Sequence, residues 1–217
     1  MQKSTMITTV IFDLDGLLAD TEPLQMRAYQ QALLTYGVDV SETDYARHWI
    51  RAGWGIDEFV TDRQLPLAPD IVRQRKIEIY QELLETSLQA MLGAPELLAR
   101  LYRRKCLAVA SSSMRITVEY ILHRLGFAKY FEIIAAREDV EQAKPAPDIF
   151  LYVARRLRVL PAACVVIEDA EKGIVAAHRA GMKSIAVPNR YTQDNDFSAA
   201  SSVVGSLLEV ERLLEVL

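Results

Sequence analysis

Two aspartates early in the chain have a spacing that suits cation binding or acid–base chemistry. Asp13 and Asp15 lie two residues apart, directly after the apolar run at 10–12 and before Gly16. If that run is a buried strand, both carboxylates can face one pocket at its end, where their like charges repel unless a cation or a proton intervenes. Mg²⁺ prefers carboxylate and carbonyl oxygens and would suit such a pair. An ordinary surface turn is the alternative interpretation.

A second acidic pair, Glu168 and Asp169, ends the apolar run at 164–167. Neighbouring carboxylates do not attract each other. Acidic residues are also favoured in the first turn of a helix, and a plain helix start is therefore the alternative explanation. Taken together with Asp13 and Asp15 from another strand end, the four carboxylates favour a shared cation.

Hydroxyl and ammonium groups that can bind an anion occur in two further segments. Serines at 111–113 stand between an apolar run and a helical pattern. A hydroxyl and unpaired backbone N–H groups form an anion site there, although simple helix capping is the alternative. Lys144 is followed by Pro145 and Pro147, which restrict the backbone around it. A lysine held in this way can neutralise a phosphate or a carboxylate, whereas the alternative is a solvated surface lysine.

Short apolar runs alternate with longer amphipathic segments over most of the chain. The runs cover 8–12, 106–110, 133–135, 164–167 and 184–187, and the amphipathic segments lie near 94–104, 114–126, 147–158, 171–181 and 206–217. Continuous apolar runs of this length are typical of strands buried on both faces of a parallel sheet. The alternation predicts an α/β fold with a Rossmann-like, doubly wound parallel sheet, whose ligand site lies beyond the carboxyl ends of the strands.

Residues 20–91 interrupt this alternation and contain no convincing strand. Helical periodicity there predicts four helices, near 22–36, 41–51, 54–64 and 69–90. We therefore expect an all-α, four-helix cap domain over 20–91, inserted into a core domain formed by 1–19 and 92–217.

The composition indicates a folded protein with no membrane or nucleic-acid partner. Of 217 residues, 51% are hydrophobic and 25% are charged, with a formal net charge of -4. A membrane span needs about 18 consecutive apolar residues, and the longest run, at 162–167, is far shorter. Nucleic-acid binders usually carry a basic patch, which this charge does not suggest.

No signal peptide is visible, so we expect a cytoplasmic protein whose Cys106 and Cys164 are reduced core thiols. No sequence feature sets an oligomeric state, and a monomer is favoured.

The four polar segments, in this order, resemble the motifs of the haloacid dehalogenase-like superfamily of phosphotransfer enzymes. They are Asp-Leu-Asp-Gly at 13–16, Ser111, Lys-Pro-Ala-Pro-Asp at 144–148 and Glu-Asp-Ala-Glu-Lys-Gly at 168–173. The resemblance covers essentially the whole chain. It is strongest to the subgroup with a helical cap after the first motif, which holds sugar-phosphate phosphatases, phosphoglycolate phosphatases and β-phosphoglucomutase.

The resemblance implies a Mg²⁺-dependent phosphatase that acts on a small phosphorylated metabolite through an aspartyl-phosphate. Asp13 would be the nucleophile. Asp15 would protonate the leaving alcohol and then deprotonate the attacking water. Mg²⁺ would bind the Asp13 side chain, the Asp15 carbonyl and Asp169, with Glu168 beside them.

The same resemblance assigns the groups that bind substrate. Ser111 and the backbone N–H of Ser112 would hold phosphoryl oxygens, and Lys144 would balance the charge of the nucleophile and the phosphate. Recognition of the rest of the substrate is expected in the helical insert. The candidates there are Glu22, Gln25 and Arg51.

Two alternatives to a phosphatase remain open at this point. β-Phosphoglucomutase carries a histidine early in its first cap helix, and the position reached by counting along from Asp13 is Gln25 here. Hydrolysis is therefore favoured over a phosphosugar mutase. A non-catalytic binding protein of the same fold is the second alternative, although every motif position carries a chemically competent residue.

Two further features are interpreted as solvated surface. The polar segment 187–197 follows the last clear strand, and a plain surface loop is favoured there over a loop that places Asn189 or Arg190 near substrate. Arg73, Arg75 and Lys76, within the last predicted helix of the insert, are interpreted as a solvated charged face.

Overall fold

Six parallel strands form one sheet in the computed structural model, which describes residues 6–215. They are β1 (Thr9–Phe12), β2 (Cys106–Ala110), β3 (Ile133–Ala135), β4 (Cys164–Glu168), β5 (Lys183–Ala186) and β6 (Ser202–Val203). Their order across the sheet is β3-β2-β1-β4-β5-β6, and every neighbouring pair is parallel. This is the doubly wound order, with the first strand at the point where the winding reverses, and it confirms the predicted fold class.

The central strands are buried on both faces, as their continuous apolar sequences predict. Val10, Ile11 and Phe12 of β1 have no exposed surface. Phe12 lies level with Val109 of β2 and Ile167 of β4, so these three strands end at nearly the same height. The residues that follow them therefore meet at one edge of the sheet.

The unit Asp20–Gln89 is compact and helical. Its helices are α1 (Glu22–Leu34), α2 (Glu42–Tyr45), α3 (Ile56–Asp62) and α4 (Pro69–Ser87), and α2 continues into a wider π-helical turn, Ala46–Arg51. Ser41 begins α2 with a capping box, and Pro69 occupies the first turn of α4, where its missing N–H is no loss. Aromatic rings fill the interior, with the ring centroid of Trp49 lying 4.6 Å from those of Tyr29 and Phe59.

The described residues on either side of that unit form the second compact unit, which contains the sheet. Its helices are α5 (Ala94–Leu101), α6 (Arg115–Arg124), α7 (Asp148–Leu157), α8 (Glu171–Arg179) and α9 (Leu207–Leu214). Apolar residues of α7 and α8, such as Phe150 and Ala177, pack with Ile11 and Val166 on one face of the sheet. That the two units are independent domains, with the predicted boundaries, stays a prediction.

One strand was not expected from the sequence, and some expectations fall outside the described residues. β6 was not predicted, because two residues are too few to show any periodicity. Residues 1–5 of the predicted core domain and 216–217 of the predicted last helix lie outside the described part of the chain. No described helix combines the length and hydrophobicity that crossing a bilayer requires.

Candidate functional site

The ends of the three central strands position the chemically active side chains. Asp13 follows β1, Ser111 follows β2 and Glu168 is the last residue of β4. The backbone N–H of Asp13 donates to the carbonyl of Ile167 at 3.0 Å, and that of Ser111 donates to Ala135 at 3.0 Å. Both residues thus continue the hydrogen bonding of the sheet and are held as firmly as the strands.

Lys144, which lies on a separate loop, contacts the ends of all three strands. Its Nζ donates to Asp13 Oδ1 at 2.6 Å, to Glu168 Oε1 at 2.6 Å and to the carbonyl of Ala110 at 2.9 Å. These contacts use all three ammonium hydrogens. The lysine side chain is 1% exposed, so the surface-lysine interpretation does not hold, and Lys144 is the counter-ion of two buried carboxylates.

The charges at this site are not balanced by the side chains alone. Burial raises the pKa of Asp13 to about 7, and the nearby Glu168 and Asp15 charges act in the same direction, against the opposing effect of Lys144. Burial by itself lowers the pKa of Lys144, but Asp13 and Glu168 raise it above its usual value, so the lysine stays charged. A further cation would therefore be stabilised here.

Three buried carboxylates form a group that can bind such a cation. Asp13, Glu168 and Asp169 each offer an oxygen, and these oxygens lie within 4.8 Å of one another. Glu168 already uses both of its oxygens, because Oε1 binds Lys144 while Oε2 accepts from the N–H groups of Asp169 at 3.0 Å and Ala170 at 3.1 Å. An all-carboxylate donor set suits a hard cation. Asp13 and Asp169 are therefore better placed than Glu168 to contact a cation, while Glu168 holds Lys144 and the N–H groups of Asp169 and Ala170.

Gly173, in the first turn of α8, lets the helix approach Glu168. A Cβ at this position would lie 1.8 Å from Glu168 Oε1 and 2.0 Å from its Cδ. The glutamate cannot move away cheaply, because Lys144 and two backbone N–H groups hold it.

We therefore expect Gly173→Ala to lower the free energy of unfolding by about 1–3 kcal/mol, the usual range for overpacking. Alanine is otherwise the better helix former, so without the clash the variant would be more stable than the wild type. Urea unfolding followed by circular dichroism measures the difference. At Gly205 a Cβ would meet only Glu209 Oε1, at 3.5 Å, so Gly205→Ala is the control and should change stability little. Equal stabilities of the two variants would contradict the prediction.

Asp15 lies in a different environment from the three grouped carboxylates. Its Oδ2 accepts from Ser111 Oγ at 3.1 Å and from Ser113 Oγ at 2.7 Å, and the Ser113 N–H donates to Ser111 Oγ at 3.0 Å. The sequence predicted Ser111 and Ser112 as phosphate ligands and missed Ser113, although the run of three serines was the available signal. The structure shows that two hydroxyls hold the Asp15 carboxylate and that Ser112 is exposed. The phosphate-binding roles of Ser111 and of the Ser112 backbone N–H stay predictions.

Asn189 is a further residue of the site. Its Nδ2 donates to Asp169 Oδ2 at 2.8 Å and to the carbonyl of Gly16 at 3.1 Å. The favoured interpretation of this segment as a plain surface loop was therefore wrong. Gly16 has φ +75°, and a Cβ there would lie 2.7 Å from Asp169 Oδ2, so both backbone conformation and close approach require glycine.

The candidate specificity residues lie in the helical unit. Glu22 Oε2 accepts from Tyr45 Oη at 2.8 Å, Gln25 Oε1 accepts from Lys76 Nζ, and Arg51 is exposed. Lys76 Nζ also lies 4.8 Å from the ring centroid of Tyr29, and the residue is half-buried. The assignment of Lys76 to a solvated face was therefore wrong. The substrate roles of Glu22, Gln25 and Arg51 stay predictions.

Comparisons with known proteins give consistent matches over nearly the whole chain. The family model described as haloacid dehalogenase-like hydrolase matches residues 10–187. Fructose-1-phosphate phosphatase YqaB of Escherichia coli is 34% identical over 179 residues, which cover 82% of this chain and 95% of that protein. Protein CbbY of Rhodobacter capsulatus is 33% identical over 208 residues, covering 89% and 91% respectively. The crystal structure of a CbbY mutant from Rhodobacter sphaeroides in complex with xylulose-(1,5)bisphosphate has a TM-score of 0.80 and 30% identity, and it covers 94% of this chain and 96% of that one.

Proposed function

Because this chain belongs to the haloacid dehalogenase-like hydrolases, we propose that it hydrolyses a small sugar phosphate, with Mg²⁺, through phosphorylation of Asp13. The family and the relatives named as phosphatases indicate that it is a phosphoric monoester hydrolase that acts on phosphorylated metabolites. The sugar, the ion and the covalent intermediate are the proposal. The observation that carries it is the buried contact of Lys144 with both Asp13 and Glu168 at the carboxyl edge of the sheet.

Asp13 is the proposed nucleophile. Its carboxylate attacks the phosphorus, a new O–P bond forms, and the bond from phosphorus to the sugar oxygen breaks. A carboxylate and a phosphate repel each other, and Lys144 offsets part of that repulsion because its ammonium is fixed 2.6 Å from Asp13 Oδ1. The firm placement of Asp13 by the sheet favours one orientation of attack.

The three buried carboxylates fit a Mg²⁺ ion. Asp13, Asp169 and the Asp15 carbonyl would hold it, and Glu168 would orient the site. The fit rests on the short separation of the carboxylate oxygens and on their burial, which raises the pKa of Asp13 with smaller contributions from the Glu168 and Asp15 charges. When bound, the ion would neutralise negative charge on the phosphoryl oxygens and so favour attack by a carboxylate.

Asp15 is the proposed general acid and base. It protonates the leaving sugar oxygen, and then takes a proton from the water that attacks the phosphorus of phosphorylated Asp13, which releases phosphate and restores the free carboxylate. Ser113 Oγ donates to Asp15 Oδ2 at 2.7 Å and would keep the carboxyl group in place. Ser111 and the Ser112 N–H bind phosphoryl oxygens, and Ser111 turns its hydroxyl hydrogen from Asp15 to the substrate when the phosphate arrives.

The sugar phosphate assignment comes from the relatives. YqaB is named for fructose 1-phosphate, and the CbbY mutant was solved with xylulose-(1,5)bisphosphate. We propose that Glu22, Gln25 and Arg51 contact the sugar. Gln25 stands where the mutase has a histidine, which favours hydrolysis over transfer within the sugar.

Phosphate release from a panel of sugar phosphates, phosphoglycolate and nucleotide monophosphates tests this function. We expect release from at least one sugar phosphate in Mg²⁺, a fall of at least about 100-fold after EDTA, and recovery when Mg²⁺ is added back. Release that is insensitive to EDTA would contradict the metal requirement. Sustained conversion of β-glucose 1-phosphate to glucose 6-phosphate without phosphate release would indicate the mutase instead.

A further inference from the structure

The Asn189 amide has its orientation determined by three hydrogen bonds. Its Nδ2 donates to Asp169 Oδ2 at 2.8 Å and to the Gly16 carbonyl at 3.1 Å, while its Oδ1 accepts from the N–H of Tyr191 at 2.8 Å. Turning the amide over would place an oxygen against two acceptors and an NH₂ against a donor. The observed orientation is therefore the only one that satisfies all three partners.

The backbone of Asn189 is held as well. Its N–H donates to Thr192 Oγ1 at 3.0 Å, its carbonyl accepts from the Thr192 N–H at 3.1 Å, and Thr192 is buried. A side chain with a fixed backbone and three satisfied hydrogen bonds loses little entropy when it orients a neighbour.

We propose that Asn189 is a positioning residue that fixes Asp169 for metal binding, an inference that rests on the metal site of the proposed function. The amide donates a hydrogen bond to Oδ2 of Asp169 and so fixes the rotation of the Asp169 carboxylate. That carboxylate would face the ion. Through the Gly16 carbonyl it also ties the loop that follows Asp13 to the loop that follows β4. One side chain thereby holds together the two segments that supply the ligands.

Asn195 provides a matched control in the same loop. Its Oδ1 accepts from the N–H of Glu171, at the start of α8, at 3.1 Å. The residue type, the loop and the neighbouring segment are the same, but this bond goes to a backbone N–H and not to Asp169. A purely structural role of the loop would make Asn195→Ala and Asn189→Ala behave alike.

The test is the binding of Mn²⁺ alone, measured by the loss of the electron paramagnetic resonance signal of free Mn²⁺. We expect Asn189→Ala to raise the Mn²⁺ Kd about 10–100-fold, the usual effect of removing a group that orients a metal ligand. Asn195→Ala should stay within about twofold of the wild type. In an Asp169→Asn background, adding Asn189→Ala should have little further effect, because the two residues act through one carboxylate. At saturating Mg²⁺ most of kcat should return.

The Mn²⁺ binding results distinguish a failure of the positioning role from a failure of the metal site. A Kd for Asn189→Ala within about twofold of the wild type, or an equal rise in Asn195→Ala, would overturn the positioning role while leaving the metal site intact. Equal Mn²⁺ binding by the wild type and Asp169→Asn would overturn the metal site itself, and the positioning role with it. If Asn189→Ala does not fold, Asn189→Leu fills the same space without a donor and answers the same question.

Discussion

Asp13→Asn should lower phosphate release by at least about 10⁴-fold, because an amide oxygen is neutral and a poor nucleophile toward phosphorus. The variant keeps the size and shape of the side chain. Lys144 retains Glu168 as a partner at 2.6 Å, and one of the crowded carboxylate charges disappears. The free energy of unfolding of the metal-free variant should therefore not fall below that of the wild type.

Steady-state phosphate release and urea unfolding on the same preparations measure both effects. Asp70→Asn is the control, since that side chain is 91% exposed and pairs with Arg73 on the surface of α4. Its activity should stay within about twofold of the wild type. If Asp13→Asn kept more than a few per cent of the activity, Asp13 would not be the nucleophile.

Lys144→Met should lower the free energy of unfolding by about 3–5 kcal/mol at pH 8, because it leaves Asp13 and Glu168 buried with no counter-ion. Whole proteins of this kind are stable by about 5–15 kcal/mol, so this is a large fraction of the total. Phosphate release should fall as well, since the nucleophile loses the group that holds it.

The loss of unfolding free energy in Lys144→Met should depend on pH in one direction. In the wild type the folded-state pKa of Asp13 is already raised to about 7 by burial, and removing the lysine charge raises it further. A carboxyl group whose pKa is higher in the folded protein than in the unfolded chain binds protons more tightly when folded, so stability falls as the pH rises. The stability gap between Lys144→Met and the wild type should therefore be smaller at pH 5 than at pH 8.

Two variants separate this cause from a general effect of losing a lysine. Lys129 is exposed, and Lys129→Met should change stability by no more than about 0.5 kcal/mol. Adding Glu168→Gln to Lys144→Met removes one of the two buried negative charges that have lost their counter-ion. The double variant should therefore recover part of the lost free energy of unfolding. A Lys144→Met protein as stable as the wild type at pH 8 would show that the buried ion pairs do not contribute.

The secondary structure and the motif positions could be read from the sequence because both are local properties. β2 (Cys106–Ala110) and β3 (Ile133–Ala135) have the predicted bounds. A polar residue borders the apolar run of β2 on both sides and that of β3 on its N-terminal side. The convergence of Asp13, Ser111 and Glu168 also followed, because parallel strands deliver the residues after them to one edge of the sheet. β6 gave no signal because it has only two residues.

The contacts that refine the site depended on the tertiary structure. Asn189 and Gly16 are 173 positions apart, and no spacing rule connects a loop after β5 with a turn after β1. The pairing of Ser113 with Asp15, 98 positions apart, likewise depends on how the loops pack at the edge of the sheet. The local pattern was enough to predict the groups proposed for the chemistry and the edge of the sheet at which they lie. The neighbours that orient them could not be predicted, because they come from segments distant in the chain and show no local period.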